Sequence, residues 1–432
     1  MKFSILTFGC KVNQYDSQEM REALGAFMEE AHRGEPAEVV VVNTCTVTAE
    51  ADRQSRQAMR RLRRTNPSAR IIASGCYARR ASEELLKDGL ADAVARGTGP
   101  GPLLDALGLS APKNSGRRGI GGFAGHARAF VKVQDGCDRR CAFCIVPLVR
   151  GKSESRPAGD IINEVRGLAG GGVPEVVLCG VRLNAYRDPQ GGGKLASLVQ
   201  SLLDIPELVR PSKDGRDLAH SGRARLRLSS IYPGDVEPEL VELLAGHPRM
   251  CRHAHLPIQS GSDPVLRAMR RGYTAADIKA LAGGLRRLSP SLGLTADIIA
   301  GFPGETEEDV RATMELLAEC GFHRLHLFPF SARPGTPAAA LEPVPAPLIK
   351  ERMGRLAELG RSLLIKSQEK EVGREAEVVV EARERGGWRR GVTGNYHTVM
   401  FQGAAGVAGA IARLKITGIE DGALRGVPAG GG

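Results

Sequence analysis

Val133-Gln134-Asp135-Gly136-Cys137-Asp138-Arg139-Arg140-Cys141-Ala142-Phe143-Cys144 puts three cysteines within eight residues, directly after the strand-like run 130–133. No fourth cysteine or histidine follows within the next dozen residues. A structural zinc site asks for four ligands, usually in two pairs. Three thiolates at Cys-x3-Cys-x2-Cys spacing instead suit a cubane iron–sulfur cluster with three irons held and the fourth open. An open iron binds a substrate or cofactor, so the site reads as reactive rather than structural. The competing reading is a set of buried or zinc-bound cysteines.

Downstream of this loop, strand-like runs recur at 175–179, 224–229, 253–258, 294–300 and 324–328, with another at 127–133 just before it. Helix-period segments separate them at 159–169, 238–244, 264–269, 275–288 and 307–319. Six such units predict a partial TIM-type (β/α)6 barrel, whose chemistry sits in the loops after the strands. The Cys137 loop obeys that rule. Two further loops are placed to support the site. Asp297-Ile298-Ile299-Ala300-Gly301-Phe302-Pro303-Gly304-Glu305-Thr306 passes from a strand into a helix, with Thr306 and Asp309 as a capping box. His255-Leu256-Pro257-Ile258-Gln259-Ser260-Gly261-Ser262 ends a strand in polar groups, which serve equally as a simple loop cap. Cys251 and Cys320 stand alone as inert thiols, and Cys179 at a strand end is left unassigned. The polar segment 206–222 reads as an exposed insertion.

Upstream, strand-like runs at 3–8, 38–42 and 70–73 alternate with helix-period segments at 17–28 and 49–64. Alternation of this kind predicts a parallel sheet with right-handed crossovers. The three runs lead into Gly9-Cys10, Asn43-Thr44-Cys45 and Ser74-Gly75-Cys76. Ligands collect at the carboxyl ends of strands in open α/β sheets, so Cys10, Cys45 and Cys76 are expected on one rim, as ligands of a second cluster. Each cysteine set is expected at the rim of its own α/β domain. Any one of the three alone reads as a small buried residue. The segment Asp52–Arg64 carries six arginines. It reads either as a solvated face or as a phosphate-contacting one.

The chain has 432 residues, a formal net charge of +11 and nine cysteines. Its length predicts several domains, and its charge makes a polyanionic partner plausible. Nine thiols are too few for a disulfide scaffold and fit a reducing cytosol, so a cytoplasmic location is expected. No apolar run is long enough to cross a membrane. The first ten residues read as a strand rather than a signal peptide. A glycine-rich linker at 116–125, a Pro/Ala-rich linker at 335–347 and a charged helical connector at 349–371 divide the chain. After residue 375 the pattern changes to short strands at 376–380, 391–393, 398–401 and 414–416. These predict a small β-barrel, with Trp388, Tyr396, Arg374, Arg389 and Arg390 offered for stacking and phosphate contact. The glycine-rich end, 429–432, is expected to be disordered.

Taken together, Gly9-Cys10-Lys11-Val12-Asn13-Gln14-Tyr15-Asp16-Ser17, Asn43-Thr44-Cys45-Thr46-Val47-Thr48, Gly75-Cys76, and the Cys137 loop running on into Ile145-Val146-Pro147 and Arg150-Gly151 resemble the methylthiotransferases of the radical S-adenosylmethionine (SAM) superfamily, from Lys2 to about Ile419. The first two motifs and Asn395-Tyr396 with Val399 look most like the branch acting on threonylcarbamoyladenosine in tRNA. The resemblance implies a multidomain α/β chain: an N-terminal parallel α/β domain with an auxiliary cluster (1–112), a radical SAM core (126–348) and a TRAM β-barrel that binds RNA (370–425). It implies two [4Fe-4S] clusters, one on Cys137, Cys141 and Cys144 and one on Cys10, Cys45 and Cys76. SAM is the further cofactor, with Gly180, Ser229, Gln259, Gly301 and Pro303 as the residues expected to contact it. The implied reaction adds a methylthio group to carbon 2 of an adenine in the tRNA anticodon stem-loop. The electrons come from a donor such as flavodoxin or ferredoxin, and the sulfur donor is unassigned. The alternatives are the same chemistry on isopentenyladenosine or on a ribosomal-protein aspartate, and a non-catalytic, redox-sensing RNA-binding protein. Two places depart from the family pattern: Val181-Arg182-Leu183-Asn184, and the acid in Lys152-Ser153-Glu154-Ser155.

Overall fold

A computed structural model describes residues 1–32, 34–110, 119–208, 224–403 and 408–429. Most of the predicted insertion, the start of the 116–125 linker and the last three residues of the chain lie outside the described residues. The described chain falls into two compact units that are not contiguous in sequence. One comprises Met1–Gly121, Gln134–Glu154 and Ser331–Ala340; the other comprises Gly122–Val133, Ser155–Phe330 and Leu341–Gly432.

In the first unit the strands β1 (Lys2–Thr7), β2 (Glu29–Glu30), β3 (Val39–Thr44), β4 (Arg70–Ser74) and β5 (Ala93–Val94) form one sheet in the order β2-β1-β3-β4-β5. All its pairings are parallel; Ile5 lies beside Val41, and Val41 beside Ile72. The strand Val39–Thr44 is buried along its whole length, because successive side chains point to opposite faces and both faces are covered. Val39 and Val41 pack with α1 (Lys11–Leu24) and α5 (Pro100–Leu107) through Met20, Leu24, Leu103 and Leu104. Val40 and Val42 pack with α2 (Ala49–Thr65), α3 (Gly75–Arg80) and α4 (Ser82–Lys87) through Met59, Tyr77 and Leu85. The helix α1 begins at Lys11, earlier than the apolar spacing indicates, because its first turns bury Asn13, Asp16 and Ser17 alongside Val12 and Tyr15, which breaks the apolar period.

Entry into the second unit is through β6 (Ala129–Asp135), whose last two residues belong with the first unit. After α6 (Val146–Arg150), β7 (Glu154–Ser155) and α7 (Ala158–Gly170) come β8 (Glu175–Gly180), α8 (Leu195–Leu203) and β9 (Arg225–Leu228). Next are α9 (Pro238–Gly246), β10 (His253–Gln259), α10 (Asp263–Ala268), α11 (Ala275–Leu288), β11 (Gly293–Ala300), α12 (Glu307–Cys320) and β12 (Arg324–Pro329). Sheets β7-β6-β8-β9 and β10-β11-β12 are joined by parallel bridges Ser230–His255 and Leu226–Met250. The six long strands therefore follow one another round a partial barrel. The capping box expected at Thr306 is formed: its side chain accepts from the Asp309 N–H and Asp309 answers to the Thr306 backbone.

A 24-residue helix, α13 (Ala346–Glu369), leads to a closed barrel of β13 (Glu375–Arg385), β14 (Trp388–Thr393), β15 (Thr398–Phe401), β16 (Ile411–Glu420) and β17 (Ala423–Pro428). Val378, Val380, Val399, Phe401, Leu414 and Leu424 fill it. This barrel docks where β8, β9 and β10 begin. Glu175, fully buried, receives Arg225 Nε and Arg227 Nε at 2.7 Å each. Those arginines donate onward to the carbonyls of Val392, Thr393 and Gly394. Burial opposes charge on Glu175, but Arg227 and Arg225 outweigh it and hold the carboxyl well below the usual carboxylate range. Removing one partner of such a buried set typically costs about 3–5 kcal/mol, because the remaining charge is stranded.

Candidate metal and cofactor centre

Both cysteine triads belong to the first unit, so the Cys137 loop packs with the N-terminal sheet rather than at the rim of a separate domain. Cys10 is the N-cap of α1, Cys45 follows the last residue of β3, and Cys76 is the second residue of α3. Cys45 and Cys76 are buried and Cys10 is exposed. Gly9 makes their approach possible: at φ +97° it adopts a conformation L residues rarely take, and a β-carbon there would lie 2.7 Å from Cys45 Cβ and 2.9 Å from its sulfur. Burial pushes the Cys45 thiol up to about 12, reinforced by Cys10 and Cys76 beside it. Burial likewise raises Cys76, with Arg150 pulling the other way. Ligation by metal deprotonates such thiols.

Hydrogen bonds tie the three strand ends together. Asn13 Nδ2 donates to Phe8 O at 2.8 Å and Thr44 O at 2.9 Å. Asn43 Nδ2 donates to Asn13 O and to Ser17 Oγ, both at 2.9 Å. Thr44 Oγ1 donates to Ser74 O at 2.6 Å and accepts from the Ala78 N–H. Thr46, next to Cys45, accepts from Arg80 Nε and from Arg333 Nη2, and both arginines also reach Asp52.

In the second triad, Cys141 is buried while Cys137 and Cys144 are partly exposed. The loop is closed by the Cys137 N–H donating to Gly151 O at 3.0 Å and the Cys144 N–H donating to Cys141 O at 3.1 Å. Gln134 Nε2 props it through Gly136 O at 2.7 Å and Ser153 Oγ at 3.0 Å. The chain returns at Ala338, whose N–H donates to Ala142 O. Among the described residues no three His, Cys, Asp or Glu groups converge on a single ion. Thiols spaced around a rim suit a cubane, where each iron takes its own cysteine. Three thiols in each set fit a cluster with three irons held and the fourth open.

Residues expected to contact SAM lie in the second unit, at the ends of successive strands. Gly180 ends β8, Ser229 follows β9, Gln259 ends β10, and Gly301 and Pro303 follow β11. The Ser229 hydroxyl is buried without a hydrogen-bond partner. Gln259 holds a positive φ of 68° at a break in the β10–β11 register, a strain typical of functional loops. Gly301, at φ +77°, has no room for a side chain against Ile349. Its N–H donates to Glu305 Oε2 at 2.7 Å, and Arg352 holds that carboxylate. An orphaned hydroxyl beside two irregular strand ends fits a polar ligand such as SAM. The departure at Val181–Asn184 has a local reason: Arg182 pairs with Asp235 and lies over Tyr232, while Asn184 holds Tyr232 and Asp235 through their backbone.

Three further sequence readings change. Tyr396 is not available for stacking on RNA: its ring stacks on His253 at 4.4 Å, with Arg227 and Arg324 over it, at the seam that docks the small barrel. Trp388 lies under Arg425 at 4.1 Å. On α2, Arg53, Arg56 and Arg63 pair with Glu50, Glu84 and Asp92, which leaves a smaller set of exposed arginines for phosphate. Buried Cys179, Cys251 and Cys320 sit outside both triads. Sequence reasoning gives no role to Arg150, Asn13 or Asp16, although all three lie within the quoted motifs. Arg333 carries no sequence signal at all.

Comparison with known proteins bears on the site. Residues 2–96 match the family described as "Uncharacterized protein family UPF0004", and residues 131–317 match the Radical SAM superfamily. The chain is 35% identical to the threonylcarbamoyladenosine tRNA methylthiotransferase MtaB of Chlamydia pneumoniae, over 88% of this chain and 86% of that protein. It is 38% identical to the tRNA-2-methylthio-N(6)-dimethylallyladenosine synthase of Sorangium cellulosum, over 89% of this chain and 82% of that protein. Among solved structures, the radical S-adenosylmethionine methyltransferase TsrM of Kitasatospora setae, with cobalamin and a [4Fe-4S] cluster bound, superposes with a TM-score of 0.55. It covers 90% of this chain and 80% of that one at 15% identity, a likeness that speaks to fold alone.

Proposed function

The chain belongs to the radical SAM methylthiotransferases of tRNA, and within that family we propose that it installs the methylthio group on carbon 2 of N6-threonylcarbamoyladenosine beside the anticodon. The observation that carries the reaction class is the pairing of two cysteine triads in one unit. The N-terminal run Gly9–Ser17 and the resemblance of Asn43–Thr48 support the threonylcarbamoyl substrate. Curated relatives act on both threonylcarbamoyl and dimethylallyl adenosine, so the dimethylallyl substrate is the second reading.

When bound, a cluster on Cys137, Cys141 and Cys144 supplies the electron that cleaves SAM, and one on Cys10, Cys45 and Cys76 holds the sulfur to be transferred. The protein's own groups have simpler tasks. Ser229 Oγ has a free hydrogen-bonding position for SAM, and the left-handed backbone at Gln259 and Gly301 lets main-chain groups face the ligand. Gln134 and the Cys137 N–H keep the cysteine loop closed. Asn13 and Thr44 hold the three N-terminal thiols to one rim. The basic surface would attract tRNA from a distance. A small flavodoxin- or ferredoxin-type donor would deliver electrons, and cytoplasm is the compartment in which free thiols persist.

Nucleoside mass spectrometry of tRNA from cells with and without this gene tests the substrate. Loss of 2-methylthio-N6-threonylcarbamoyladenosine, with its unmethylthiolated precursor accumulating, is the expected result. Loss of the methylthio group from dimethylallyladenosine would instead move the assignment to the second reading.

A further inference from the structure

The two triads are joined by one buried side chain. Arg150 closes α6, six residues after Cys144, and its guanidinium is almost fully enclosed, with 2% of the side chain exposed. Nη1 donates to both carboxylate oxygens of Asp135, at 2.8 and 2.7 Å, and Asp135 opens the Cys137 loop. Nη2 donates to Asp16 Oδ2 at 2.8 Å and to Asn13 Oδ1, on the helix capped by Cys10. The same guanidinium meets the Cys76 thiol. Ile145 and Val149 of the Cys137 side pack directly on Cys76. From Asn13 the bonds continue to Phe8 O and Thr44 O, beside Gly9-Cys10 and Cys45. Every N-terminal thiol is thus within a few bonded steps of Arg150, and through it of the Cys137 loop.

Burial of a guanidinium is costly unless its donors are all used. Here two carboxylates from different segments share it. A planar fork with donors on both arms fixes direction as well as distance, which a lysine point charge does not do. A second tie runs in parallel: Arg333 grips Thr46 beside Cys45, and Ala338 N–H grips Ala142 beside Cys141.

We infer that Arg150 is a positioning residue that sets the separation and orientation of the two cysteine triads, and through them of the groups they hold. Its donors are committed to Asp135, Asp16 and Asn13, so it acts through the triads. The inference rests on the two-cluster reading above. Group transfer between separately held centres is sensitive to placement, and a misplacement of about 1 Å can cost about 10²-fold.

The test uses full-length protein reconstituted anaerobically, as wild type, Arg150→Lys and Asp16→Asn. Iron content, the electron-spin coupling between the two reduced clusters in the absence of RNA, and the ratio of 5′-deoxyadenosine to methylthio product are measured. Wild type should hold about eight irons, two cubanes. Arg150→Lys should keep that iron and its SAM cleavage, show altered spin coupling, and give about 10²-fold less methylthio product per SAM cleaved. Asp16→Asn, which keeps shape and removes one charge, should shift the coupling in the same direction by less. Unchanged coupling and an unchanged product ratio in both fully loaded variants would overturn the positioning role alone. Loss of four irons in both variants would also overturn it, because Arg150 would then be needed to form a site and not to space two. Four irons in the wild type would overturn the two-cluster reading and the positioning role together.

Discussion

At Gly9 a single hydrogen atom occupies the space beside the Cys45 sulfur, and at Ser229 a hydroxyl is left without a partner. These positions make opposite kinds of prediction. Gly9→Ala should push Cys45 away from Cys10, leaving a protein that takes up about four irons in place of about eight and still cleaves SAM; iron analysis after anaerobic reconstitution reads this directly. Ser229→Ala removes the hydrogen bond proposed to SAM, and no packing. Its expected cost is about 0.5–1.5 kcal/mol, a several-fold rise in the SAM dissociation constant with no change in melting temperature. At this scale the cysteines are legible in the sequence: spacing singles out Cys137, Cys141 and Cys144, and their common place after three strand-like runs singles out Cys10, Cys45 and Cys76. The groups that hold them are not. Asn13, Asp16 and Arg150 are ordinary polar residues whose partners come from segments far apart in the chain, and no local pattern encodes a hydrogen bond across more than a hundred residues.

Elements are legible where one physical signal dominates and obscure where two compete. The run Glu38–Val42 announces a doubly covered strand, and Thr306 with Asp309 announces a helix start. The mixed first turns of α1 conceal its beginning, since buried Asn13, Asp16 and Ser17 interrupt the apolar period that Val12 and Tyr15 would start. Tyr396 is ambiguous in sequence because an aromatic in an RNA-binding module looks the same whether it faces RNA or a neighbouring strand. Its seam carries a pH dependence. The His397 ring lies 4.6 Å from that of His323, bonds Ser367 through Nε2, and is held down to about 4 by burial and by Arg324. Burial, with His397 and Arg324 beside it, depresses His323 in the same direction. An unfolded histidine titrates near 6.5. Below about 6.5 the unfolded chain binds protons that folded His397 and His323 refuse, so stability falls as pH drops, by about 1.4 kcal/mol per pH unit for each ring, and the share of His397 levels off below about 4. Urea midpoints measured between pH 7 and pH 5 should decline on this slope. His397→Gln should make it shallower, leaving the share of His323, and an equal slope in that variant would assign the effect elsewhere.

Across the whole second unit, the small barrel is docked at the amino ends of β8, β9 and β10, while Gly180, Ser229, Gln259 and Gly301 mark the carboxyl ends of the strands. A module at the end away from the loops proposed to hold SAM would contribute affinity and not chemistry. Its removal is a poor experiment, because Arg225 and Arg227 would be deprived of the carbonyls of Val392, Thr393 and Gly394 and the core would be weakened with it. Surface charge is the cleaner handle. On β16 Arg413, paired with Glu375 at 2.7 Å, and Lys415 are exposed while Ala412, Leu414 and Ile416 face inward, the alternation of a strand with one solvated face. Replacing Arg413 and Lys415 with Ala should leave the melting temperature and RNA-independent SAM cleavage unchanged. If that face meets the tRNA backbone, affinity should fall, and the slope of log K against log salt should become shallower by roughly 0.7–0.9 for each phosphate no longer neutralised. A weaker affinity with an unchanged salt slope would mean that β16 acts through shape rather than charge. No weakening at all would return the phosphate-binding role to the exposed arginines of α2, where Arg60, Arg61 and Arg64 face solvent.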